Sequence, residues 1–317
     1  MASPLVVPAA FAADPITIIE DVKNDKGKGY RDIVERPSGT LLATRASDPS
    51  VWEVDPNSKV RKLLFEIQGA DYIEAITALP NEVYVFWAYI ESSSVDSDVP
   101  SSSVDPEQPR AKVPGIWKVD LSGADDQKPV PVRDFPEDFD THVGLAAWGE
   151  TRVLMCDTNT EVVRIIDITT KTTKQIDVAI AIDTLKLKYA DAIYAEDGWV
   201  YLIKNNPGEL YRIPVDADAH PKGEPERITS APDLDLSGSF DVADDGAVYA
   251  VSNESKQVLK INLDGDHVAI AGGSGDKRFQ HPAAVRIGRT LGKTETLYVT
   301  TMESKVDTGR IMAIENY

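Results

Sequence analysis

The sequence predicts an all-β chain, a six-bladed β-propeller whose ring is closed by an N-terminal strand. Three observations carry that expectation. A strand, turn and strand pattern recurs six times; the turn glycines Gly198 and Gly246 of adjacent copies stand about one blade length apart, ~40 to 50 residues; and no stretch sustains the 3.6-residue periodicity of an amphipathic helix.

The clearest copy runs from Ser239 to Ser252. Phe240 and Val242 alternate with polar residues, Asp245-Gly246 supplies turn chemistry, and Val248, Tyr249 and Val251 suit a pleated surface. Gln257 to Asp264 is its third strand and His267 to Ile270 a fourth. From the N-terminus, Asp32 to Thr44, Val51 to Pro56 and Val60 to Phe65 make the first unit. Glu74 to Leu79, Glu82 to Trp87 and Gly115 to Asp120 belong to the second. Val143 to Trp148, Arg152 to Cys156 and Val162 to Asp167 form the third; Asp191 to Leu202 and Glu209 to Asp216 form the fourth. The last copy, from Ala283 to Ile314, has only three strands. Ile16 to Glu20 is an orphan strand that completes it, and closure removes exposed sheet edges.

Residues 1–15 read as an arm and residues 16–317 as a single domain, interrupted by a Ser-, Pro- and Asp-rich insertion at 91–114. The arm is apolar and ends in Ala-Phe-Ala-Ala, but no Lys or Arg precedes it as a secretory signal requires, so a cytoplasmic protein is expected. The net charge of -19 is spread along the chain, which argues against a nucleic-acid partner. No apolar run approaches the ~20 residues of a membrane-spanning helix. Cys156 is the only cysteine, set in Val153-Leu154-Met155-Cys156, and reads as a small core residue.

In a propeller the first strands begin, and the second strands end, at one mouth of the central channel, where function is expected. Repeat position places Tyr30, Arg31, Asp32, Tyr72, Glu74, His142, Val143, Tyr189, Asp191, Ser239 and His281 there, with Trp87, Lys204, Asn205 and Met302 at the ends of second strands. Aromatic residues mixed with hydrogen-bond donors suit an organic ligand. His142 equally caps a turn, and His281 precedes Pro282, which favours extended backbone.

The repeated first strand, Asp-Gly turn, Val-Tyr strand and Tyr211-Arg212-Ile213-Pro214-Val215-Asp216 strand resemble the fungal branch of the gluconolactonase and senescence-marker-protein propellers over nearly the whole chain. Hydrolytic members of that family hold a divalent metal through a Glu, an Asn in an Asn-Gly-Leu step and an Asp in a Pro-Asp step. This chain has Arg31-Asp32, Val143-Gly144-Leu145 and Gly238-Ser239 at those places. A valine offers a hard cation no oxygen and an arginine repels it, so neither metal nor other cofactor is expected.

Within the fungal branch the chain is similar to the hetero-Diels-Alderases of tropolone-sesquiterpenoid pathways. The resemblance implies a metal-independent joining of an ortho-quinone methide to a humulene-type polyene, two hydrophobic small-molecule partners. It makes Arg31, His142, Tyr189 and His281 candidate hydrogen-bond donors, with Tyr30, Tyr72, Trp87 and Val143 as apolar wall and residues 91–114 as a lid. Two alternatives stand beside it. One is a metal-dependent lactonase or ester hydrolase using Asp32, Asp191 and Asn205 or Asp157; the other is a non-enzymatic binding propeller.

Overall fold

Several strands of this chain carry apolar residues on both faces, as in Leu41-Leu42-Ala43 and Leu297-Tyr298-Val299. Such strands are stable only when both sheet faces are covered. A ring of radially packed sheets does this, because each blade is covered by two neighbours. The computed structural model has that architecture, with six small antiparallel sheets and no helix among the described residues. It describes residues 15–23, 29–45, 47–91, 112–123, 126–134, 143–157, 162–169, 190–196, 198–204, 208–231, 235–236, 238–302 and 308–317.

Blade 1 is β2 (Tyr30–Glu35), β3 (Leu41–Arg45), β4 (Ser50–Val54) and β5 (Arg61–Glu66). Blade 2 is β6 (Tyr72–Leu79), β7 (Val83–Glu91), β8 (Lys112–Asp120) and β9 (Val130–Asp134). Blade 3 shows β10 (Val143–Trp148), β11 (Arg152–Asp157) and β12 (Val162–Asp167). Blade 4 is β13 (Ala190–Glu196), β14 (Trp199–Lys204), β15 (Gly208–Pro214) and β16 (Glu226–Ala231). Blade 5 is β17 (Asp241–Val242), β18 (Val248–Ser252), β19 (Gln257–Ile261) and β20 (His267–Gly272). Blade 6 combines β21 (Pro282–Ile287), β22 (Thr296–Thr301) and β23 (Thr308–Glu315) with β1 (Ile16–Lys23).

The closing strand is the one expected from the sequence. β1 runs antiparallel to β23 from Ile16 opposite Ile314 to Lys23 opposite Thr308, with a bulge between Ile18 and Glu20. Ile19 and Val22 are buried there against Tyr30 and Ile33 of blade 1.

The apolar core is divided among the six blade interfaces. Val34, Leu42 and Phe65 meet Ile76, Phe86 and Trp117 between blades 1 and 2. Trp87 and Tyr89 meet Leu145 and Met155 between blades 2 and 3. Cys156 lies in the next interface, fully buried with Leu154, Leu202 and Ile213, which is the packing role its sequence context suggests. The remaining interfaces are built in the same way around Phe240 and Leu259, Phe279 and Val299, and Tyr298 and Ile311. The outermost strand β5 is largely exposed, since it has no further strand to pair with.

Two elements depart from the sequence reading. β7 and β8 continue as a paired hairpin through Glu91 and Lys112, so regular structure enters the expected insertion from both sides. The intervening part of the proposed lid lies outside the described residues. The first strand of blade 5 is only two residues long, because the chain before it pairs with blade 6 instead. Ser239 N–H donates to the Ala283 carbonyl at 3.1 Å and Val285 N–H to the Ser239 carbonyl at 3.2 Å. Gly238 makes that approach possible: its φ is 85°, and a Cβ there would lie 1.9 Å from the Ala283 oxygen.

Closure through β1 gives the first prediction. Ile19→Asp places an unpaired charge in the blade 6 and blade 1 interface and is expected to cost at least about 3 kcal/mol. It also frees the β23 edge, so concentration-dependent self-association should appear in sedimentation. An unchanged urea midpoint with a monodisperse profile would show that β1 is dispensable.

Burial pushes the hydroxyls of Tyr84 and Tyr317 from 10.0 up to about 12, opposed at Tyr84 by Arg36. A raised folded-state value means that stability is fully present below pH about 10 and falls as pH climbs towards 12. Urea midpoints measured across that window should decline; a flat profile would contradict the burial argument.

Candidate functional site

An inner strand that carries a carboxylate among apolar residues must satisfy it on the ring axis, and Asp32 does so fully. Its Oδ1 accepts from Ile33 N–H at 2.9 Å and from Arg286 Nη2 at 3.1 Å. Its Oδ2 accepts from Ile76 N–H at 3.2 Å and Ser239 Oγ at 3.0 Å. The four donors come from blades 1, 6, 2 and 5, and Asp32 itself is 1% exposed. Although placed at the mouth by repeat position, Asp32 is a buried tie between blades. Ser239, half-buried, serves the same tie.

Above this layer, where the inner strands begin, Arg31 pairs through Nη2 with Glu74 of blade 2. Its Nη1 lies 3.6 Å from the Met302 sulfur of blade 6. The Arg31 side chain is 23% exposed, so it is held yet reaches solvent. Met302 N–H in turn donates to the His281 carbonyl at 2.9 Å. Arg31, Glu74, Met302 and His281 are thus brought together at the upper mouth. His281 is not extended as its proline neighbour suggested; its φ is 47°, a left-handed corner closed by the Met302 bond, and its side chain is exposed.

Tyr72 lies on the same side, half-buried and stacked on Tyr89 with ring centroids 4.9 Å apart. Lys204 is half-buried and reaches Glu209 Oε2 at 3.3 Å within its own blade. Two aromatic residues assigned to the wall take other places. Tyr30 is wholly buried between blades 6 and 1, its ring 5.4 Å from the Arg45 guanidinium. Trp87 is wholly buried between blades 2 and 3, with Nε1 donating to Tyr89 Oη at 2.6 Å. Large rings at the inner edge of a blade fill the wedge between sheets, and neither presents surface to a ligand. Val143 opens β10 and Asp191 lies at a bulge in β13 between Ala190 and Ala192. His142, Tyr189 and Asn205 lie outside the described residues.

The sequence reading missed the other end of the channel. A cavity of about 410 Å³ lies where the inner strands finish, lined from all six blades by residues that include Val34, Leu79, Leu145, Ile193, Asp241 and Ile287. Asp241 repeats the Asp32 device: its carboxylate accepts from Val242 N–H at 2.9 Å and from Ile287 N–H of the next blade at 2.9 Å. Arg289 Nη2 completes it at 2.9 Å and donates to Tyr194 Oη at 2.6 Å. The available signal was a charge inside an apolar inner strand, as in Phe240-Asp241-Val242 and Ala284-Val285-Arg286-Ile287.

The divalent metal that the family resemblance of the sequence implies for hydrolytic members can be tested against these residues. Asp32 has no acceptor position left and faces Arg286, while Glu74 faces Arg31. No group of three or more His, Cys, Asp or Glu residues among the described residues could hold a metal ion. Asp32 and Glu74 are therefore not open to the metal, while the side chains of Asp157 and Asp191 and all of Asn205 lie outside what is described.

Six sheets around a channel tied by buried aspartates define a six-bladed β-propeller. Comparison with solved structures finds the same fold in a calcium-binding regucalcin of Agrobacterium tumefaciens, with a TM-score of 0.62 and 11% identity over 94% of this chain and 93% of that one. The PQQ-bound aldose sugar dehydrogenase of Streptomyces coelicolor matches with a TM-score of 0.60 and 12% identity over 95% and 97% of the two chains. A virginiamycin B lyase of Staphylococcus aureus matches with 0.53 and 12% over 94% and 99%. At such identities the likeness is one of fold. No protein-family model matches the chain, and no curated protein matches it.

Breaking a buried charge pair costs about 3–5 kcal/mol, whereas a half-exposed one costs far less. Arg286 is 15% exposed on Asp32 and Arg289 is 42% exposed on Asp241. Asp32→Asn is therefore expected to lower stability by about 3 kcal/mol and Asp241→Asn by about 1 kcal/mol. Urea denaturation of both variants checks the order, and equal losses would remove the special role of Asp32.

Proposed function

We propose that the protein is an enzyme of small organic molecules that works at the upper mouth without a metal, specifically a hetero-Diels-Alderase joining an ortho-quinone methide to a humulene-type polyene. The observation that carries this reading is Arg31, a guanidinium at the position where hydrolytic relatives need a carboxylate. The enzymes among the similar folds support the coarser reading, and the fungal resemblance of the sequence supports the finer one.

The chemistry suits such a site. In the cycloaddition the four-atom C=C–C=O unit of the quinone methide adds across one alkene of the polyene. A C–C and a C–O bond form together, two π bonds are consumed and no group leaves. The carbonyl oxygen gains negative charge in the transition state, so an N–H donor there lowers the barrier. Arg31 has five N–H donors and spends one on Glu74 and another on Met302. Glu74 orients the guanidinium, and the Met302 side chain supplies adjacent thioether surface for a polyene, with the Tyr72 ring further along the same side. Orientation of two bound reactants supplies the rest of the acceleration. In this proposal His142, Tyr189 and His281 are further donors, and Val143, Asp191, Lys204 and Asn205 border the substrates.

Arg31→Met is expected to slow adduct formation on the order of 10- to 100-fold, the effect of losing one well-placed donor, with Arg31→Lys recovering part of the rate. A chelator should leave the rate unchanged. The measurement is adduct yield and isomer ratio from a quinone methide precursor and humulene, against buffer. Activity lost on chelation and restored by a divalent ion would move the protein to the hydrolases. An adduct ratio equal to that in buffer would leave a binding propeller.

A further inference from the structure

The cavity at the lower mouth has the construction of a binding site in its own right. Its volume of about 410 Å³ falls within the ~300–1,000 Å³ of small-molecule sites. Its inner end is closed by Arg286, whose Nη2 is held on Asp32 and whose Nη1 donates to the Phe240 carbonyl at 2.7 Å. The lower chamber is thereby separated from Arg31 and Glu74 by a layer of buried hydrogen bonds, and a ligand in it does not reach the upper mouth.

The chemistry of the lining selects the ligand. Its walls are aliphatic, from Val34, Leu79, Leu145, Ile193 and Ile287. Its charged groups are held by hydrogen-bond or ion-pair partners within the protein. Arg36 binds Glu53 at 2.7 Å and Glu82 at 2.8 Å; Glu35 accepts from Thr290 Oγ1 at 2.6 Å and from the amides of Arg289 and Thr290. Asp241 carries Arg289, and Arg286 carries Asp32. An anionic ligand would have to break one of these ion pairs, whereas an uncharged apolar one only displaces water. The entrance is also built at a cost. Glu82 adopts φ 56° beside Asn81 at 61°, a conformation unfavourable by roughly 1 kcal/mol for such a side chain, and Arg36 holds it there.

We infer that the lower chamber is a second small-molecule site, taking an uncharged, largely hydrophobic ligand of mono- or bicyclic aromatic or terpenoid size. The site is independent of the chemistry at the upper mouth. The test titrates the full-length protein with the neutral fluorophore N-phenyl-1-naphthylamine. Saturable one-to-one binding is expected, weakened at least tenfold by Ala147→Phe and by Ala195→Phe, both half-buried on the chamber wall, and unchanged by Arg31→Met. In case a filled variant does not fold, the wild-type protein is also photolabelled with a neutral aryl diazirine. Labels are expected within 77–84 and 193–195. Non-saturable binding, insensitivity to folded filling variants, loss in Arg31→Met, or labels confined to Tyr72 and Met302 would each overturn the proposal.

Discussion

The carboxylate of Asp32 is the constraint on which the channel depends. A propeller has no single central core; its blades pack side by side, and apolar contacts between inner strands, such as Val34 with Ile76, join only neighbouring blades. A buried aspartate with four donors from four blades supplies that missing connection. Burying a charge is favourable only when every acceptor position is filled, and a network so filled admits one arrangement of its partners. The same property excludes catalytic use of the group. A carboxylate committed to Arg286, Ser239 and two amides has no acceptor position left for a metal.

Asp241 shows that the arrangement is a device of the fold. It accepts from the next amide of its own strand and from an inner-strand amide of the following blade, as Asp32 does with Ile33 and Ile76. The two differ in what the arginine can reach. Arg286 is enclosed, while Arg289 extends to Tyr194 and lies half in solvent. The two aspartates therefore bracket the channel: one closes it in the middle, and the other stiffens the lower entrance.

The sequence carried the sheets more completely than the site. Alternation, turn glycines and the orphan strand at Ile16 specify the blades, because each follows from local pleat and turn geometry and from the need to bury both faces. Repeat position also brought Arg31, Glu74, Met302 and His281 to one mouth. It failed for Tyr30 and Trp87, since pleat alone does not say whether a ring turns towards the channel or into the wedge between blades. It failed for Asp32 because a carboxylate reads alike in sequence whether it meets solvent or four donors. Gly238 is the sharpest case. Against the family pattern it reads as a lost ligand, yet the Ala283 oxygen 1.9 Å from any Cβ is reason enough for a glycine.

That last point bears on how loss of metal ligands is to be weighed. Replacement of an acidic residue by glycine shows little when packing already demands glycine. Arg31 is different, because what it holds in the fold is a single ion pair: Glu74, 10% exposed, accepts from its Nη2, and Met302 is a weak acceptor. In the proposed reaction an arginine at the mouth of the channel, partly exposed and oriented by a carboxylate, meets the ligand oxygen that gains charge. The case against a metal on Asp32 and Glu74 thus rests on the arginines that occupy those carboxylates, and the proposed role of Arg31 rests on the donors it has left.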